Sequence, residues 1–198
     1  MGLNLEYIGG QTPLDDEERK GLLIPSITTR EELDEFEQQN IEKAIEWTLN
    51  RKFSKENIIS EDFVRELHKK MFGDVWRWAG EFRKSEKNLG ADWFQIETML
   101  RQLNDDCYFW IENKTYQEEE LSIRYKHRIV RIHCFANGNG RHSRLMGDVL
   151  INHIFGKPVF TWSHANITKK GETRSNYLNA IRAADNGDIN PLIEFAKS

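Results

Sequence analysis

Between His133 and Arg144 the chain reads HCFANGNGRHSR, a run of residue types that can bind phosphate and move a proton. His133 carries an imidazole whose ordinary pKa near 6.5 lets it take a proton from an incoming hydroxyl at neutral pH. Gly138 and Gly140 can direct backbone N–H groups into a concavity, and a helix opening after them presents its free donors and positive dipole end to the same place. Arg141 and Arg144, three apart in the first turn of that helix, stand where acidic residues are favoured, a penalty that bound phosphate would reverse. Their planar guanidinium groups suit phosphate oxygens better than lysine would. From Leu121 to Gly147 there are six basic residues, Arg124, Lys126, Arg128, Arg131, Arg141 and Arg144, and no Asp or Glu. Such confinement points to a small anionic ligand. Each feature alone has an ordinary explanation, the histidine as a helix cap and Asn-Gly-Asn-Gly as a plain interhelical turn. Base, double-glycine turn and arginine pair in one short segment carry the functional reading.

The remainder of the chain bounds what that segment can serve. Its 198 residues suit one domain with a single core, and a formal net charge of -4 argues against bulk attraction to nucleic acid or an anionic membrane. Cys107 and Cys134 form no C-x-x-C pair and are too few for a disulfide framework, which suits a reducing cytoplasm. No apolar run approaches the ~18 residues of a membrane span, and Met1 to Gly10 lacks the basic and apolar blocks of a signal peptide. The expectation is a soluble, cytoplasmic protein with neither nucleic acid nor membrane as partner. His127, His142, His153 and His164 show no zinc-binding spacing and read as surface or packing residues. Trp47, Trp76, Trp78, Trp93, Trp110 and Trp162 are expected in or near the core.

The elements that must position the segment read as helices. Residues 1–25 form a polar arm, loosely held from Gln11 to Lys20, ahead of a single domain over 26–198. Thr29 and Glu32 have the form of a capping box, followed by Leu33, Phe36, Ile41, Ala44 and Ile45 at helical spacing. Ser60 opens a helix with Phe63, Leu67 and Met71 inward, ending near Gly73. The polar run Glu81 to Asp92 suggests an exposed loop or short hairpin, after which Ile96, Leu100, Leu103, Cys107 and Ile111 restore helical period. A helix over about 119–132 delivers His133 to its end. Another from Arg141 carries Leu145, Val149 and Ile154 inward and stops before Gly156 and Pro158. Thr173 can cap a helix through Leu178 and Ile181, and Asn190-Pro191 opens a last short one. The sum is an all-α domain with one irregular hairpin.

The segment resembles the signature of the Fic (filamentation induced by cAMP) domain family, His-x-Phe-x-Asp/Glu-Gly-Asn-Gly/Lys-Arg-x-x-Arg. It reads here His133, Phe135, Asn137, Gly138, Asn139, Gly140, Arg141 and Arg144, and only Asn137 departs. Leu67-His68 through Met71-Phe72-Gly73 and Trp76-x-Trp78-Ala79-Gly80-x-Phe82-Arg83 resemble the approach to the family's flap. Tyr177, Gly187-Asp188 and Pro191-Leu192 resemble its closing helices, so most of the chain is covered. It is most similar to the bacterial subgroup called mobile mystery protein B, which suggests a toxin with an antitoxin partner. The implied fold is a Fic-type helical domain with a short β-hairpin flap. The implied activity is transfer of AMP from ATP to a hydroxyl of a target protein with release of pyrophosphate. By matching position His133 is the base, Phe135 anchors the loop in the core, the Gly138 and Asn139 segment holds the α- and β-phosphates, Gly140 belongs to the same nucleotide-binding set, and Arg141 and Arg144 hold the outer phosphates. Lys87, Asn88, Leu89 and Gly90 fall in the flap, which pins the target segment as an added strand. Tyr177 is a candidate neighbour of the nucleobase.

Two points of the resemblance depart from the family. Its Asp/Glu ligates Mg²⁺, whereas Asn137 offers a neutral amide oxygen, so Mg²⁺ dependence with a raised metal requirement is expected. Its intramolecular brake, Ser/Thr-x-x-x-Glu-Gly/Asn, is incomplete in the two nearest candidates, Thr28 to Glu32 and Thr168 to Glu172. Glu32 is the candidate inhibitory residue, although the capping box already explains it. Gly140, where relatives with Lys act as kinases, favours AMP transfer. Transfer of UMP or phosphate, or a Fic-like module that binds a nucleotide or partner without turnover, are the alternatives.

Overall fold

The computed structural model describes residues 12–162 and 171–198; His164 and Thr168 lie outside them. Among the described residues the chain is helical with no strand, its one β contact being an isolated antiparallel bridge between Leu22 and Trp76. The helices are α1 (Asp16–Arg19), α2 (Arg30–Leu49), α3 (Lys55–Ile58), α4 (Glu61–Phe72), α5 (Ile96–Glu112), α6 (Glu118–Ile132), α7 (Asn139–Phe155), α8 (Glu172–Asp185) and α9 (Asn190–Lys197). None is long and apolar enough to cross a membrane.

Local chemistry sets most of the boundaries. The Thr29 hydroxyl accepts the Glu32 amide at 3.2 Å and the Glu32 carboxylate accepts the Thr29 amide at 3.1 Å, the reciprocal box that starts α2. Ser60 Oγ accepts the Phe63 amide at 3.1 Å and starts α4. Asp15 and Ser54 cap the two short helices α1 and α3, which the sequence reading did not separate from their surroundings. α8 begins at Glu172 after Gly171 without a side-chain cap, one residue before the predicted cap Thr173.

The α6 and α7 pair is the centre of the fold and makes its most extensive helix–helix contact. Leu121, Ile123, Tyr125, Ile129 and Ile132 of α6 and Met146, Val149, Leu150 and Ile151 of α7 are buried on several sides, as expected of helices enclosed by others. α4 and α5 pack against this pair, α2 covers α4, and α8 with α9 closes the far side around Ile123 and Ile151. The turn between α6 and α7 is thus held by the most deeply buried elements of the chain.

α2 departs from the predicted stripe. Phe36 and Ile45 are exposed, and the inward face runs Leu33, Glu37, Asn40, Ile41, Ala44 and Thr48. Two polar residues take inward positions because each has partners there: Asn40 bonds the Lys70 carbonyl and the Asp74 amide, and Glu37 reaches the site described below. The predicted β-hairpin flap is also absent as a hairpin. Residues 81–92 form an irregular loop whose carbonyls are satisfied by Arg83 in place of a strand ladder. Its guanidinium donates to the carbonyls of Ser85, Ala91 and His133, while the Arg83 and Ala91 amides bond Cys134 O at 3.0 Å and Ile132 O at 3.2 Å. Trp93, expected near the core, is instead exposed beside exposed Leu89 and Phe94. From Thr12 onward the arm is docked rather than loose: Leu14 is buried, and Trp78 Nε1 donates to Glu18 O at 2.9 Å.

Candidate active site

The turn is built by its own side chains. Asn139 Nδ2 donates to Phe135 O at 2.7 Å and its Oδ1 accepts the Phe135 amide at 2.9 Å, so this side chain closes the turn instead of facing a ligand. Phe135, fully buried, stacks on His68 with ring centres 3.7 Å apart. His68 accepts the Gly80 amide on Nδ1 at 3.0 Å and donates from Nε2 to Asn137 O at 3.1 Å, tying flap and turn together. Gly138 has φ +77, and a Cβ there would lie 2.6 Å from the Phe72 ring, so only glycine fits. It also opens α7 without a side-chain cap and with no acid in the first turn, leaving the helix N-terminus to an anion.

His133 caps α6 in the left-handed region at φ 58 and is almost wholly buried. Its Nδ1 lies 3.3 Å from Val130 O. A carbonyl only accepts, so Nδ1 carries the proton and Nε2 is left as an acceptor. Burial, reinforced by the nearby Arg83 and Lys87 charges and opposed by the Val130 bond, pushes its pKa down to about 4. The imidazole is therefore neutral at pH 7, the state a general base needs. Nε2 already has a hydroxyl partner: Thr12 Oγ1 lies 2.8 Å away, with Thr12 also buried.

A cavity of about 580 Å³ opens from His133 along the turn, a volume suited to a small-molecule ligand. Thr12, Leu89, Gly90, His133, Asn137, Gly138, Asn139, Gly140, Arg141 and Arg144 all line it, with Arg174, Tyr177 and Ile181 from α8 forming the opposite wall. The structure thus brings the predicted base, turn and arginine pair to one place. Glu32, Lys87 and Asn88 do not line the cavity. Glu32 is exposed, and its carboxylate is taken up by the Thr28 and Thr29 amides at the start of α2. Lys87 is turned to the arm, where Nζ bonds Glu18 and Pro13 O.

The arginines are not equivalent. Arg141 donates to Glu37 Oε2 at 2.6 Å, and the other oxygen of this buried carboxylate accepts Trp76 Nε1 at 2.7 Å. Arg144 lies over the Tyr177 ring, 5.4 Å from its centre, and the Tyr177 hydroxyl accepts a bond from buried Lys126 at 2.7 Å. Burial would raise the Tyr177 pKa, but the Lys126 and Arg144 charges outweigh it and bring the phenol below its usual range. Tyr177 therefore supports Arg144 and Lys126, with its ring covered by a guanidinium. Thr12, Glu37 and Arg174 are residues of the site that motif reading missed, and Arg83, quoted only in the approach to the flap, holds the His133 carbonyl. An acid on the inward stripe of α2 was the available signal for Glu37, while Thr12 had none, being brought to the base from 121 residues away.

The position the resemblance gives to a metal does not fit Mg²⁺. Asn137 Nδ2 donates to Thr12 O at 3.0 Å and its Oδ1 accepts the Gly138 amide at 2.7 Å, so both ends of the amide are engaged within the protein and it carries no charge for a cation. Among the described residues no group of three or more His, Cys, Asp or Glu is gathered as a metal site. A hard cation that dehydrates reluctantly needs at least a carboxylate beside the phosphates.

Residues 58–151 match the Fic/DOC family. The chain is 27% identical over 146 residues to "Protein adenylyltransferase Fic" of Aedes aegypti, covering 72% of this chain and 28% of that protein. The namesake of Drosophila melanogaster is 29% identical over 136 residues, covering 67% and 26%. The chain thus spans about a quarter of the length of these curated relatives. Among solved structures, Fic-1 (residues 134–508) of C. elegans superposes with a TM-score of 0.67 at 22% identity, covering 90% of this chain and 51% of that one. BepC of Bartonella tribocorum, with bound AMPPNP, superposes with a TM-score of 0.69 at 16% identity, covering 92% and 97%. Signature, helical fold and this match agree, and they place a Fic/DOC family domain at residues 58–151.

Proposed function

We propose that this chain transfers AMP from ATP to a hydroxyl of a protein. The observation that carries the reading is a neutral, buried His133, with Nε2 left as an acceptor, lining one cavity with the turn and with Arg141 and Arg144. An acceptor oxygen attacks the α-phosphorus of ATP as its proton passes to Nε2. The bond from the α-phosphorus to the β-phosphate oxygen breaks, and pyrophosphate leaves with the electron pair. The uncapped start of α7 and the two guanidinium groups meet the charge that develops on the phosphates. The curated relatives named as protein adenylyltransferases and the AMPPNP bound to BepC support the same reading. Leu89, exposed at the cavity wall, and exposed Trp93 and Phe94 a few residues on give a target protein apolar surface to dock on.

No step is routed through Mg²⁺. A raised Mg²⁺ requirement, lowered by Asn137→Asp, is the expected consequence of the neutral amide. A toxin role with an antitoxin partner in a bacterial cytoplasm rests on the subgroup resemblance. The committed Asn137 amide favours a second reading, nucleotide binding without turnover. ATP labelled separately at the α- and γ-phosphates, incubated with the protein and a bacterial lysate, tests these readings. Alpha label on protein that disappears in His133→Ala is the expected result. Gamma label alone would assign phosphoryl transfer, and tight ATP binding with no label would assign a binding module.

A further inference from the structure

The arm segment from Thr12 to Glu18 has the geometry of a bound acceptor at the base. Thr12 Oγ1 sits 2.8 Å from His133 Nε2, and the two residues are only 6% and 7% exposed. Its carbonyl accepts Asn137 Nδ2 at 3.0 Å, and the next carbonyl, Pro13 O, accepts Lys87 Nζ at 3.4 Å. Beyond it Leu14 is buried in the core, Asp15 and Glu18 cap α1 and pair with Lys87, and Trp78 holds Glu18 O. A hydroxyl on the base, two main-chain carbonyls on the turn and flap, and an anchored segment behind them are what presentation of an acceptor residue requires.

We propose that Thr12 is itself an acceptor of AMP, held in cis in the place where a target's hydroxyl would enter. The proposal rests on AMP transfer being the activity of the site. Thr12 Oγ1 bonds to the α-phosphorus, its proton goes to His133 Nε2, the bond from the α-phosphorus to the β-phosphate oxygen breaks, and pyrophosphate leaves. The product is a phosphodiester between AMP and the Thr12 side chain. Thr12 lines the same cavity as the turn from Asn137 to Gly140, the space assigned to the phosphates. The departure of Asn137 from the family's acidic residue then has a physical reason. An amide donates to Thr12 O at this distance, whereas a carboxylate would set two acceptor oxygens against each other. A target protein must displace the arm before its own hydroxyl reaches the base.

The test incubates the purified full chain with α-labelled ATP, with and without a bacterial lysate, and maps the label by tryptic digestion. The expected label lies on the peptide ending at Arg19, with fragmentation placing it on Thr12 rather than Tyr7. Its rate per chain should not depend on protein concentration. Thr12→Ser should retain it and Thr12→Val should abolish it. Asn137→Asp should lower it and raise label on lysate proteins. Labelled lysate proteins with an unlabelled arm peptide would overturn the assignment of Thr12 and leave AMP transfer standing. Label on Tyr7, or an unchanged arm label in Thr12→Val, would do the same. No label on any protein would remove both the transfer reading and this proposal.

Discussion

Replacing Gly90 by alanine should push the flap and the base apart. Gly90 sits at φ +106, and a Cβ added there would lie 2.4 Å from His133 Cβ, 3.0 Å from Arg83 Nη2 and 3.1 Å from Ile132 O. Ordinary carbon contacts begin near 3.5 Å, so loop and imidazole must separate by about 1 Å. The loop resists, because Ala91 N bonds Ile132 O at 3.2 Å and Arg83 binds both Ala91 O and His133 O. Losing the Ala91 bond costs about 1 kcal/mol, the positive φ about 1–2 kcal/mol and the crowding about 1–3 kcal/mol. These share one relaxation and do not add in full, so a loss of about 2–4 kcal/mol is expected, a fall of roughly 5–15 °C in the midpoint of thermal unfolding. A base displaced by about 1 Å should slow AMP transfer about 100-fold. ATP affinity should hold, since Gly138, Arg141 and Arg144 are untouched. Gly140→Ala is the control: its nearest neighbour would be Arg144 Nη1 at 4.0 Å, and it lies within α7. Its midpoint should be unchanged or higher, alanine being favoured in a helix by up to ~1 kcal/mol. Calorimetry and single-turnover transfer from α-labelled ATP measure both. A Gly90→Ala protein with the parental midpoint and rate would refute the reasoning.

Glu37→Gln removes a buried charge from Arg141. Stability should fall by about 1.5–3 kcal/mol with the charge-assisted bond. ATP should bind about tenfold tighter, because a carboxylate at roughly 6–7 Å from a phosphate repels it by about 2.5 kcal/mol at an effective dielectric near 20, part of which the less supported guanidinium gives back. Calorimetric titration showing weaker ATP binding would contradict this. His133 makes stability depend on pH with a defined sign. Its native pKa of about 4 lies below the ordinary value of 6.5, so its contribution is complete above pH 6.5 and is lost as pH falls toward 4. Between pH 7 and pH 5 the parent should lose about 2 kcal/mol more than His133→Asn in urea unfolding, and equal losses would be the contrary result. Phe135→Ala should cost about 3–5 kcal/mol, because the fully buried ring stacks on His68 and holds the turn in the core. A change below about 1 kcal/mol in the same assay would show that Phe135 is not an anchor.

Elements whose start is written in neighbouring residues were legible in the sequence. Thr29 with Glu32, Ser60, and Pro191 mark helix starts through bonds that span three residues or through the absence of one N–H, and the structure shows each. The turn was legible for the same reason, since Gly138 and Asn139 make it with contacts four residues apart. What was not legible depends on distant partners. Glu37 occupies an inward position of α2 because Arg141 and Trp76 meet it there, and periodicity counted Phe36 in its stead. The flap reads as a hairpin from its Asn and Gly, yet one arginine supplies the carbonyl partners that pairing would have given. Thr12 O and the Asn137 amide meet across 125 residues, a pairing no local pattern announces.

The acid-free window also changes meaning once folded. Four of its six basic residues meet carboxylates from outside it: Arg124 with Glu120, Arg128 with Asp106, Arg131 with Asp185 and Arg141 with Glu37. Charge density along the chain therefore overstates the field in the cavity. The field comes from Arg144, set over Tyr177 beside buried Lys126, from Arg174 on the α8 wall, from the uncapped start of α7, and from Arg141 insofar as phosphate competes with Glu37. The acceptor position is occupied in the same sense, with the Thr12 hydroxyl on His133 and its carbonyl on Asn137. Both halves of the proposed reaction thus begin from groups already bonded within the protein. For that transfer ATP must win an arginine from a buried carboxylate, and a target must win a histidine from the arm. Each substrate is selected by what it adds beyond the internal partner it displaces, and a ligand that merely matches that partner gains nothing.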